Sequence, residues 1–455
     1  MDISRELCRL TGPIDDAIAE FNVHTDVNAL IETLKQRLTA FAEAVVAAVI
    51  QPLFDSRDFL NHLKTVAAKK AYRFHGYRDV CVTILTGAPI SLRVPYFVKS
   101  HPDRRRRRHR GCHLGLQWLG FIDRVSMHVA SLASQSALLC PSLEIARQTL
   151  SGHGIALGVK TIQRIIRSVG SQAMVNRQRI ALDGDHVAER LVLVCLDGGR
   201  LRERKAKSGK PPASPKRRGY HTDWREPTQI VIQCFNVDGS PCDDFLPIYD
   251  ATMGDIDQVF MLIERYLRQL DITTAEHVVF CADGARRYWK RIGPMAEKLG
   301  IAVSFEVIDY THAKQNLTAI VDKLPKTMGS LKLAKVAKQW NDLLWKGDLH
   351  EIKRQIMDLI KSRKQRNSAL SKFQGYFMDN FHRMQYAGFR YFNVTTGSGC
   401  VESAIRRVIN LRLKSPGIFW KRETAELMLF LRSTLLCGRW NIMFSNLFTD
   451  NRWQF

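Results

Sequence analysis

Two short apolar segments of the chain each end in an aspartate that is followed by glycine. Residues 191–196 precede Asp197, and residues 277–282 precede Asp283. Segments this short, with several β-branched residues, are typical of buried strands. Because ligands and chemistry in open α/β sheets collect at the carboxyl ends of the strands, we expect both carboxylates at one sheet edge. Two such aspartates are suited to holding a divalent cation.

A third carboxylate follows much later, after a segment of small residues. Residues 397–400 precede Glu402, which lies in the first turn of a predicted helix. Mg²⁺ prefers hard oxygen ligands and keeps room for water and phosphate oxygens. Two such ions, or Mn²⁺ in their place, can activate an attacking oxygen and stabilise the leaving oxygen of an in-line displacement. Any one of the aspartates could equally be a helix N-cap or a turn residue. Together, Asp197, Asp283 and Glu402 predict a set of catalytic metal ligands.

The order of the predicted elements around these residues indicates their scaffold. The elements run strand, strand, strand, helix, strand, helix, strand, which is the order of the RNase H-like fold. The predicted strands cover 191–197, 228–237, 245–249, 277–282 and 302–308, and the predicted helices cover 255–270 and 286–299. Between the first two strands, the basic and proline-containing segment 200–226 has the composition of a mobile loop.

These patterns predict a multi-domain α/β protein. Its RNase H-like mixed-sheet catalytic domain has an all-helical insertion and follows helical and helix-turn-helix DNA-binding regions. The predicted segments are an N-terminal helical region (1–70), a β-hairpin with a basic arginine-rich loop (71–125), a candidate helix-turn-helix region (126–185), the first part of the catalytic core (186–310), the helical insertion (311–395), the core helices carrying Glu402 (396–440) and a C-terminal tail (441–455). In the insertion, Trp340 and Trp345 are predicted core residues, with base stacking as the alternative.

The first predicted helix has apolar residues at spacings of three and four, which is typical of a helix that packs on a partner helix. The proline at position 52 is predicted to end it. Its apolar positions are Leu30, Ile31, Leu34, Leu38, Phe41, Val45 and Val46.

Charge is the strongest compositional signal. The 455 residues include 68 Lys and Arg against 44 Asp and Glu, a formal net charge of +24. Such an excess favours a polyanionic partner, because each neutralised phosphate releases counterions, although a soluble basic protein is the alternative. The ten cysteines are scattered without a Cys-x-x-Cys pair, which favours reduced core residues. No signal peptide and no apolar run of about 18 residues is recognised, so the sequence predicts an intracellular protein without a membrane span.

Two regions are predicted to contact DNA before the catalytic core. The run Arg104, Arg105, Arg106, Arg107 and Arg108 lacks helical spacing, so we assign it to phosphate contacts that give affinity without reading sequence. Two helices near 142–150 and 161–168 flank a glycine-containing turn, which fits a helix-turn-helix or an ordinary helical hairpin. In the first case the second helix presents Lys160, Thr161, Gln163, Arg164 and Arg167 to a DNA groove.

Four segments together resemble bacterial insertion-sequence transposases of the DDE class, most closely the ISKra-type group. These are residues 196–200, 282–285, 309–312 and 397–402, within a likeness that runs from about 71 to 439. The resemblance implies an RNase H-like core with a helical insertion before Glu402. It also implies Mg²⁺-dependent cleavage at the ends of a DNA element, and joining of the 3′ end to target DNA.

The resemblance also assigns roles to individual residues. Asp197, Asp283 and Glu402 match the catalytic positions, and Asp309 and His312 match a further Asp-x-x-His signature. We expect His312 to bond Asp309 and shape the surroundings of the site, rather than to act as a metal ligand or general base. The remaining predicted DNA contacts are Arg200, Arg286, Arg406, Lys414 and Trp420.

The implied setting is the cytoplasm of a bacterium, in association with the nucleoid, with a homodimer or higher oligomer joining two DNA ends. Relatives often carry cysteines near the hairpin that could bind zinc. Here the arginine run occupies that region and only Cys112 is near, so zinc is not expected. Two alternatives stay open. One is a DNA-binding regulator or domesticated transposase with an unused RNase H-like core, and the other is a nuclease that cuts without strand transfer.

Overall fold

The computed structural model describes residues 11–12, 14–16, 18–19, 26–85, 89–99, 111–122, 124–177, 182, 186–209 and 219–449. The arginine run Arg104–Arg108 lies outside these residues. The chain divides into two compact units, Met1–Ala173 with Phe444–Phe455, and Met174–Met443. The finer division into seven segments remains a prediction.

The first unit combines helices with a two-stranded sheet. Its elements are α1 (Val27–Asp55), α2 (Arg57–Ala68), β1 (Tyr72–Thr83), β2 (Pro89–Lys99), α3 (Leu114–Trp118), α4 (Met127–Leu139), α5 (Leu143–Gly152) and the start of α6 (Val159–Asn176). The predicted hairpin is confirmed, since β1 and β2 pair antiparallel. The prediction that Pro52 ends α1 was wrong, because the helix continues to Asp55 with the proline inside it.

One cluster of apolar residues holds the hairpin against the end of α1. Phe54 of α1 is fully buried with Val82 of β1 and Leu92 of β2, and Val46 and Ile50 pack against the same cluster. Burial of this apolar surface is the main stabilising term for the pairing of helix and hairpin. The C-terminal third of α1 is therefore part of the core of this unit.

The second unit is built on a five-stranded mixed sheet. Its strands are β3 (Leu191–Gly198), β6 (Thr228–Phe235), β7 (Ile248–Thr252), β8 (His277–Ala282) and β9 (Ser304–Ile308), in the spatial order β7-β6-β3-β8-β9. The pairs β3–β8 and β8–β9 are parallel, while β3–β6 and β6–β7 are antiparallel. Two helices connect the later strands, α7 (Ile256–Gln269) and α8 (Arg286–Leu299). The predicted order of strands and helices is confirmed.

The prediction of a mobile loop between the first two strands of this sheet was wrong for its described part. Residues Leu201–Ala206 form β4 and Tyr220–Arg225 form β5, which pair antiparallel. Trp420 extends the pairing, because its N–H donates to Arg202 O at 2.9 Å and its carbonyl accepts from Arg204 N–H at 2.8 Å. Basic composition suggested solvation, but the hairpin is held by a segment about 200 residues away in the chain.

The chain from 310 to 391 is helical, as predicted for the insertion. It contains α9 (Tyr310–Val321), α10 (Ser330–Lys346), α11 (Leu349–Leu359), α12 (Arg363–Tyr376) and α13 (Tyr386–Tyr391). Trp340 is a core residue, fully buried with its Nε1 donating to Gln355 Oε1 at 2.8 Å. The hydroxyl of Tyr386 donates to Ile308 O at 2.9 Å, which fixes the insertion to the end of β9.

Three longer helices follow the insertion in the described part of the chain. They are α14 (Gly399–Ile405), α15 (Arg422–Leu436) and α16 (Trp440–Thr449). After α14 the helix passes through a π-helical segment, Arg406–Asn410. Within the described residues, α1 is long and apolar enough to span a membrane by length and composition, with a mean hydropathy of 1.5 over its most apolar 18 residues.

Candidate active site

Asp197 and Asp283 lie side by side at one edge of the five-stranded sheet. The parallel strands β3 and β8 are neighbours, and Leu196 is paired with Ala282 in their register. The next residue of each strand is therefore one of the two aspartates, as the sequence predicted. Backbone groups orient both side chains: Gly198 N–H donates to Asp197 Oδ1 at 2.7 Å, and Ala285 N–H donates to Asp283 Oδ1 at 2.9 Å.

The glycines after the two aspartates permit close approach of other elements. A Cβ on Gly199 would lie 2.3 Å from Ile409 Cδ1, in the π-helical segment after α14. A Cβ on Gly284 would lie 2.3 Å from the Tyr376 ring, at the end of α12. Since real Cβ atoms do not come that close to a neighbouring atom, glycine lets both elements approach the carboxylates.

Glu402 reaches the same region from α14. This helix contacts β3 and β6, and its buried residues include Val401 and Ala404. Glu402 itself is exposed, in the first turn. The helix widens directly afterwards into the π-helical segment, a feature often found at functional sites.

Asp309 is the residue that joins these elements. Its carboxylate is fully buried and caps α9 by accepting from Thr311 N–H at 3.1 Å and His312 N–H at 3.3 Å. It also accepts from Ser398, through the backbone N–H at 3.2 Å and the hydroxyl at 2.8 Å. Its own N–H donates to Ala282 O at 3.0 Å. One residue thus ties together the ends of β8 and β9, the start of α9 and the start of α14.

His312 makes the contact that the sequence predicted. Its Nδ1 lies 2.8 Å from Asp309 Oδ2. This contact, together with the charges of Asp197 and Asp283, raises the pKa of His312 above its ordinary value despite partial burial. Burial opposes ionisation of Asp309, but His312, Ser398 and the Thr311 N–H outweigh it and lower the pKa of Asp309. The two shifts widen the pH range over which the pair is an imidazolium and a carboxylate, compared with the isolated groups.

The carboxylates influence each other electrostatically. Burial raises the pKa of Asp197, and the negative charges of Asp283 and Glu402 raise it further, against the opposing effects of Gly198 N–H and His312. Like charges held close together in a partly buried place disfavour ionisation. The site therefore has an excess of negative charge that a bound cation would relieve.

The donor set fits Mg²⁺ or Mn²⁺ by its chemistry. All three candidate ligands are carboxylates, the hard oxygen donors that these ions prefer. Among the described residues, no group of three or more His, Cys, Asp or Glu side chains is gathered closely enough to hold a metal ion as it stands.

The predicted DNA contacts near the core are mostly on the surface. Arg200, Arg406 and Lys414 are exposed, and Arg286 is exposed with its guanidinium 3.4 Å from Asp379. Trp420 differs, because it is only partly exposed and its Nε1 donates to Leu413 O at 3.0 Å. Its ring is used for packing, in addition to the backbone pairing with β4.

In the first unit, the predicted recognition face is exposed. Helix α6 begins at Val159, and its buried side includes Ile162 and Ile165. Residues Lys160, Gln163, Arg164 and Arg167 are exposed, and Thr161 is partly exposed. The α5–α6 connection, residues 153–158, contains glycines at 154 and 158, and DNA recognition by α6 remains a prediction.

Three cysteines lie beneath the three carboxylates, a relationship that the sequence analysis missed. Cys195, Cys281 and Cys400 each stand two residues before one of the carboxylates. Cys195 Sγ lies 3.3 Å from Cys400 Sγ, and hydrogen bonding with Cys281 and Cys400, together with burial, raises the pKa of Cys195. The shared spacing of two was visible in the sequence. In the strands β3 and β8 it places the thiol on the same face as the carboxylate, whereas on helix α14 it places Cys400 toward Cys195 and Glu402 on the exposed side.

The hairpin β4–β5 has aromatic and cationic side chains that sequence analysis treated as loop. Arg202 lies between Trp224 and Phe419, with its guanidinium 5.6 Å and 4.6 Å from their ring centroids. Arg204 lies over Tyr220 at 5.9 Å. Trp224 and Tyr220 are both exposed. The hairpin begins four residues after Asp197, at Leu201, so this surface is connected directly to the carboxylate edge.

A buried ion network beside β7 was also missed. Arg177 makes two hydrogen bonds to Asp250, including Nε to Oδ2 at 3.0 Å, and Nη1 donates to Glu426 Oε1 at 2.7 Å. The hydroxyl of Tyr266 donates to Asp250 Oδ2 at 2.9 Å. Asp250 is fully buried and Arg177 nearly so. No local pattern in the sequence could indicate this network. Asp250 lies 73 residues from Arg177 in the chain and Glu426 lies 249 residues from it, so these side chains meet only in the fold.

No protein-family model matches the sequence, and no curated protein matches it. Among solved structures, the chain is similar to the Drosophila P element transposase strand transfer complex. The sequence identity is 12% and the TM-score 0.31, over 71% of this chain and 94% of the other. A similarity this weak supports no conclusion about fold or function, and we draw none from it.

Proposed function

We propose that this protein is a DNA transposase of the DDE class, which binds the ends of an insertion sequence and catalyses metal-dependent cleavage and strand transfer. The observation that carries the proposal is the position of Asp197 and Asp283 at the ends of neighbouring parallel strands, with Glu402 close enough to act on the pKa of Asp197. The strand order β7-β6-β3-β8-β9, with the two central parallel strands carrying the aspartates, is that expected of an RNase H-like core.

The chain's own residues have distinct parts in this reaction. Asp197, Asp283 and Glu402 would hold the metal ions, which supply Lewis-acid activation of the attacking and leaving oxygens when bound. Asp309 keeps Ser398, and with it the start of α14, in place beside the end of β8. The exposed cations Arg200, Arg286 and Arg406 are available to hold backbone phosphates, which positions the scissile bond without reading sequence.

The test is cleavage of end-containing DNA by the purified full-length protein with Mg²⁺ or Mn²⁺. Asp283→Asn should abolish cleavage and leave binding to end DNA within about twofold of the wild type, since it removes a charge and no fold contact. The matched control is Asp342→Asn, an exposed aspartate on α10, which should cut normally. Cleavage by Asp283→Asn at the wild-type rate would refute the assignment. Asp197→Asn and Glu402→Gln should behave as Asp283→Asn does.

A second candidate function is a DNA-binding regulator with an unused core. It is favoured by one observation, the lack of a preassembled group of three ligands among the described residues. The same assay separates the two functions. A wild-type protein that binds end DNA specifically, and cuts it with neither ion, would be a regulator.

A further inference from the structure

One stripe of apolar side chains on α1 faces solvent. Six large aliphatic residues on this one helix are at least about one third exposed. They are Val27 (54%), Ile31 (53%), Leu38 (52%), Val45 (36%), Val49 (68%) and Leu53 (38%). At about 100° per residue, all six fall within an arc of about 80° around the helix axis. This is one continuous stripe rather than scattered exposure.

The opposite, polar side of α1 faces the protein. Glu32, Gln36, Thr39 and Glu43 line a cavity of about 340 Å³ together with the turn 151–154 after α5. Glu43 is only 2% exposed. An amphipathic helix at the surface of a single chain normally has the reverse arrangement, with its apolar stripe toward the core. The orientation of α1 therefore indicates that another surface covers the stripe.

The stripe has the seven-residue repeat of a two-stranded coiled coil. Ile31, Leu38 and Val45 occupy successive a positions of a heptad. The d positions are Val27, Leu34, Phe41 and Ala48. In parallel coiled coils, β-branched residues at a, as at Ile31 and Val45, favour two strands. A repeat of this kind is complementary to itself, which points to a second copy of the same helix.

We propose that α1 pairs in parallel and in register with α1 of a second copy of this chain. In this register Leu53 lies at a b position, outside the seam. The exposed surface of Val27, Ile31, Leu38, Val45 and Val49, with the half-buried Leu34 and Phe41, is on the order of 500 Å² per helix, or roughly 1,000 Å² for the pair, which reaches the size of a specific interface. The pairing also avoids repulsion in a strongly basic protein. The only charged residues at the flanking e and g positions are Lys35 and Arg37, which would face Leu30 and Ala42 of the second copy.

Two features favour a second copy of α1 over a membrane as the partner of the exposed stripe. The most apolar part of α1 includes Val46, Ile50 and Phe54, which pack against the hairpin cluster of the same unit. A helix crossing a bilayer could not keep those contacts. The a positions of the heptad repeat, by contrast, are exposed, and the d positions 34, 41 and 48 are half-buried. The proposal does not depend on the catalytic assignment.

The test is the mass of the full-length protein in solution, by light scattering and sedimentation at micromolar concentration. The wild type should be a dimer. Leu38→Glu should raise the dimer dissociation constant at least about 100-fold, because a charge at an a position is buried without a partner. The matched control is Thr33→Glu, at an exposed c position of the same repeat, which should remain dimeric. Circular dichroism of each variant verifies that the fold is kept.

A second measurement keeps the proposal testable if Leu38→Glu fails to fold. Leu38→Cys should form an intermolecular disulfide on mild oxidation, since a positions meet in a parallel pair, and Thr33→Cys should not. A monomeric wild type would overturn the proposal. If that monomer also floats with phospholipid vesicles, the stripe is assigned to a membrane surface instead.

Discussion

Asp309 and Ser398 are joined by two hydrogen bonds although 89 residues separate them in the chain. Ser398 directly precedes α14, whose first turn contains Glu402. The N–H of Asp309 donates to Ala282 O, one residue before Asp283. The buried Asp309 carboxylate therefore sets the position of Glu402 relative to Asp283, without being one of the proposed metal ligands.

Replacing Asp309 by alanine should affect both stability and catalysis. The change removes the cap of α9 and leaves the Ser398 hydroxyl and His312 without their buried partner, at a cost of about 2–4 kcal/mol. Cleavage should fall while binding to end DNA is retained at temperatures where the variant is folded. Asp348→Ala, which removes an ordinary exposed cap of α11, should cost about 1 kcal/mol and leave cleavage unchanged. Wild-type cleavage by the folded Asp309→Ala variant would contradict the positioning role.

The ion pair of Asp309 and His312 should stabilise the folded protein within a limited pH range. Its contribution to the free energy of unfolding should be lost both below and above that range. The lowered pKa of Asp309 means that its contribution is complete above its unfolded value of about 3.9 and is lost as pH falls through the folded value. The raised pKa of His312 means that its contribution is complete below about 6.5 and is lost as pH rises through the folded value. A double-mutant cycle of Asp309→Asn and His312→Gln in urea should give its largest coupling free energy between about pH 4 and about pH 6.5. A coupling that is flat from pH 3 to pH 9 would contradict the pair.

Asp197→Asn should stabilise the metal-free protein while abolishing cleavage. Burial and the charges of Asp283 and Glu402 raise the pKa of Asp197, so its ionised form costs stability above the folded pKa. The thermal midpoint should rise at neutral pH by about 2–4 °C for each kcal/mol relieved, and the difference should disappear at acid pH. Added Mn²⁺ should then stabilise the wild type more than the variant, as binding to the folded state requires. A midpoint equal to that of the wild type at neutral pH would mean that no repulsion is relieved.

The network of Arg177, Asp250 and Glu426 should be essential for the second unit. Asp250→Ala leaves Arg177 buried without its main partner, and loss of one member of a buried pair costs about 3–5 kcal/mol. Denaturant unfolding of the two variants is the measurement. The control is Asp244→Ala, which breaks the exposed ion pair with Arg190 and should leave the free energy of unfolding nearly unchanged. Equal effects of the two substitutions would show that burial does not decide the outcome.

The exposed side chains of α6 should determine how strongly the protein prefers end DNA over random DNA. Replacing Gln163, Arg164 and Arg167 together by alanine should reduce the ratio of affinities for end DNA over random DNA, since base contacts are worth about 1–3 kcal/mol each. Binding titrations with both DNAs measure the ratio. Met261→Ala, on an exposed face of α7, is the control. An unaltered ratio in the triple variant would move recognition to another part of the chain.

Much of the second unit could be predicted from local sequence. Strands β3 and β8 are continuous apolar runs, and helices α7 and α8 have clear periodicity, so the order of elements followed from residue spacing. Since parallel strands end at the same edge, the position of Asp197 beside Asp283 followed from that order. Glu402 was placed on its helix by the same reasoning, and the exposed face of α6 by its period of 3.6.

Composition was a poor guide where distant segments supply the contacts. The β4–β5 hairpin was predicted to be a loop because its residues are basic, yet Trp420 pairs with β4 and Phe419 lies against Arg202. Likewise, the sequence indicated that α1 packs on a partner helix, but not that its apolar stripe remains exposed within its own unit. Which side of a helix is covered depends on the residues that surround it in the fold.

By itself, therefore, the sequence determined the elements, the types of the candidate ligands and the sheet edge at which two of them meet, because these depend on near neighbours in the chain. Only the tertiary structure decided that Asp309 holds Ser398, and how Arg177 is neutralised by Asp250 and Glu426. Each of these buried charges is tolerated because residues far away in the chain complete its hydrogen bonds. Such partners are fixed by packing, and no local pattern in the sequence specifies them.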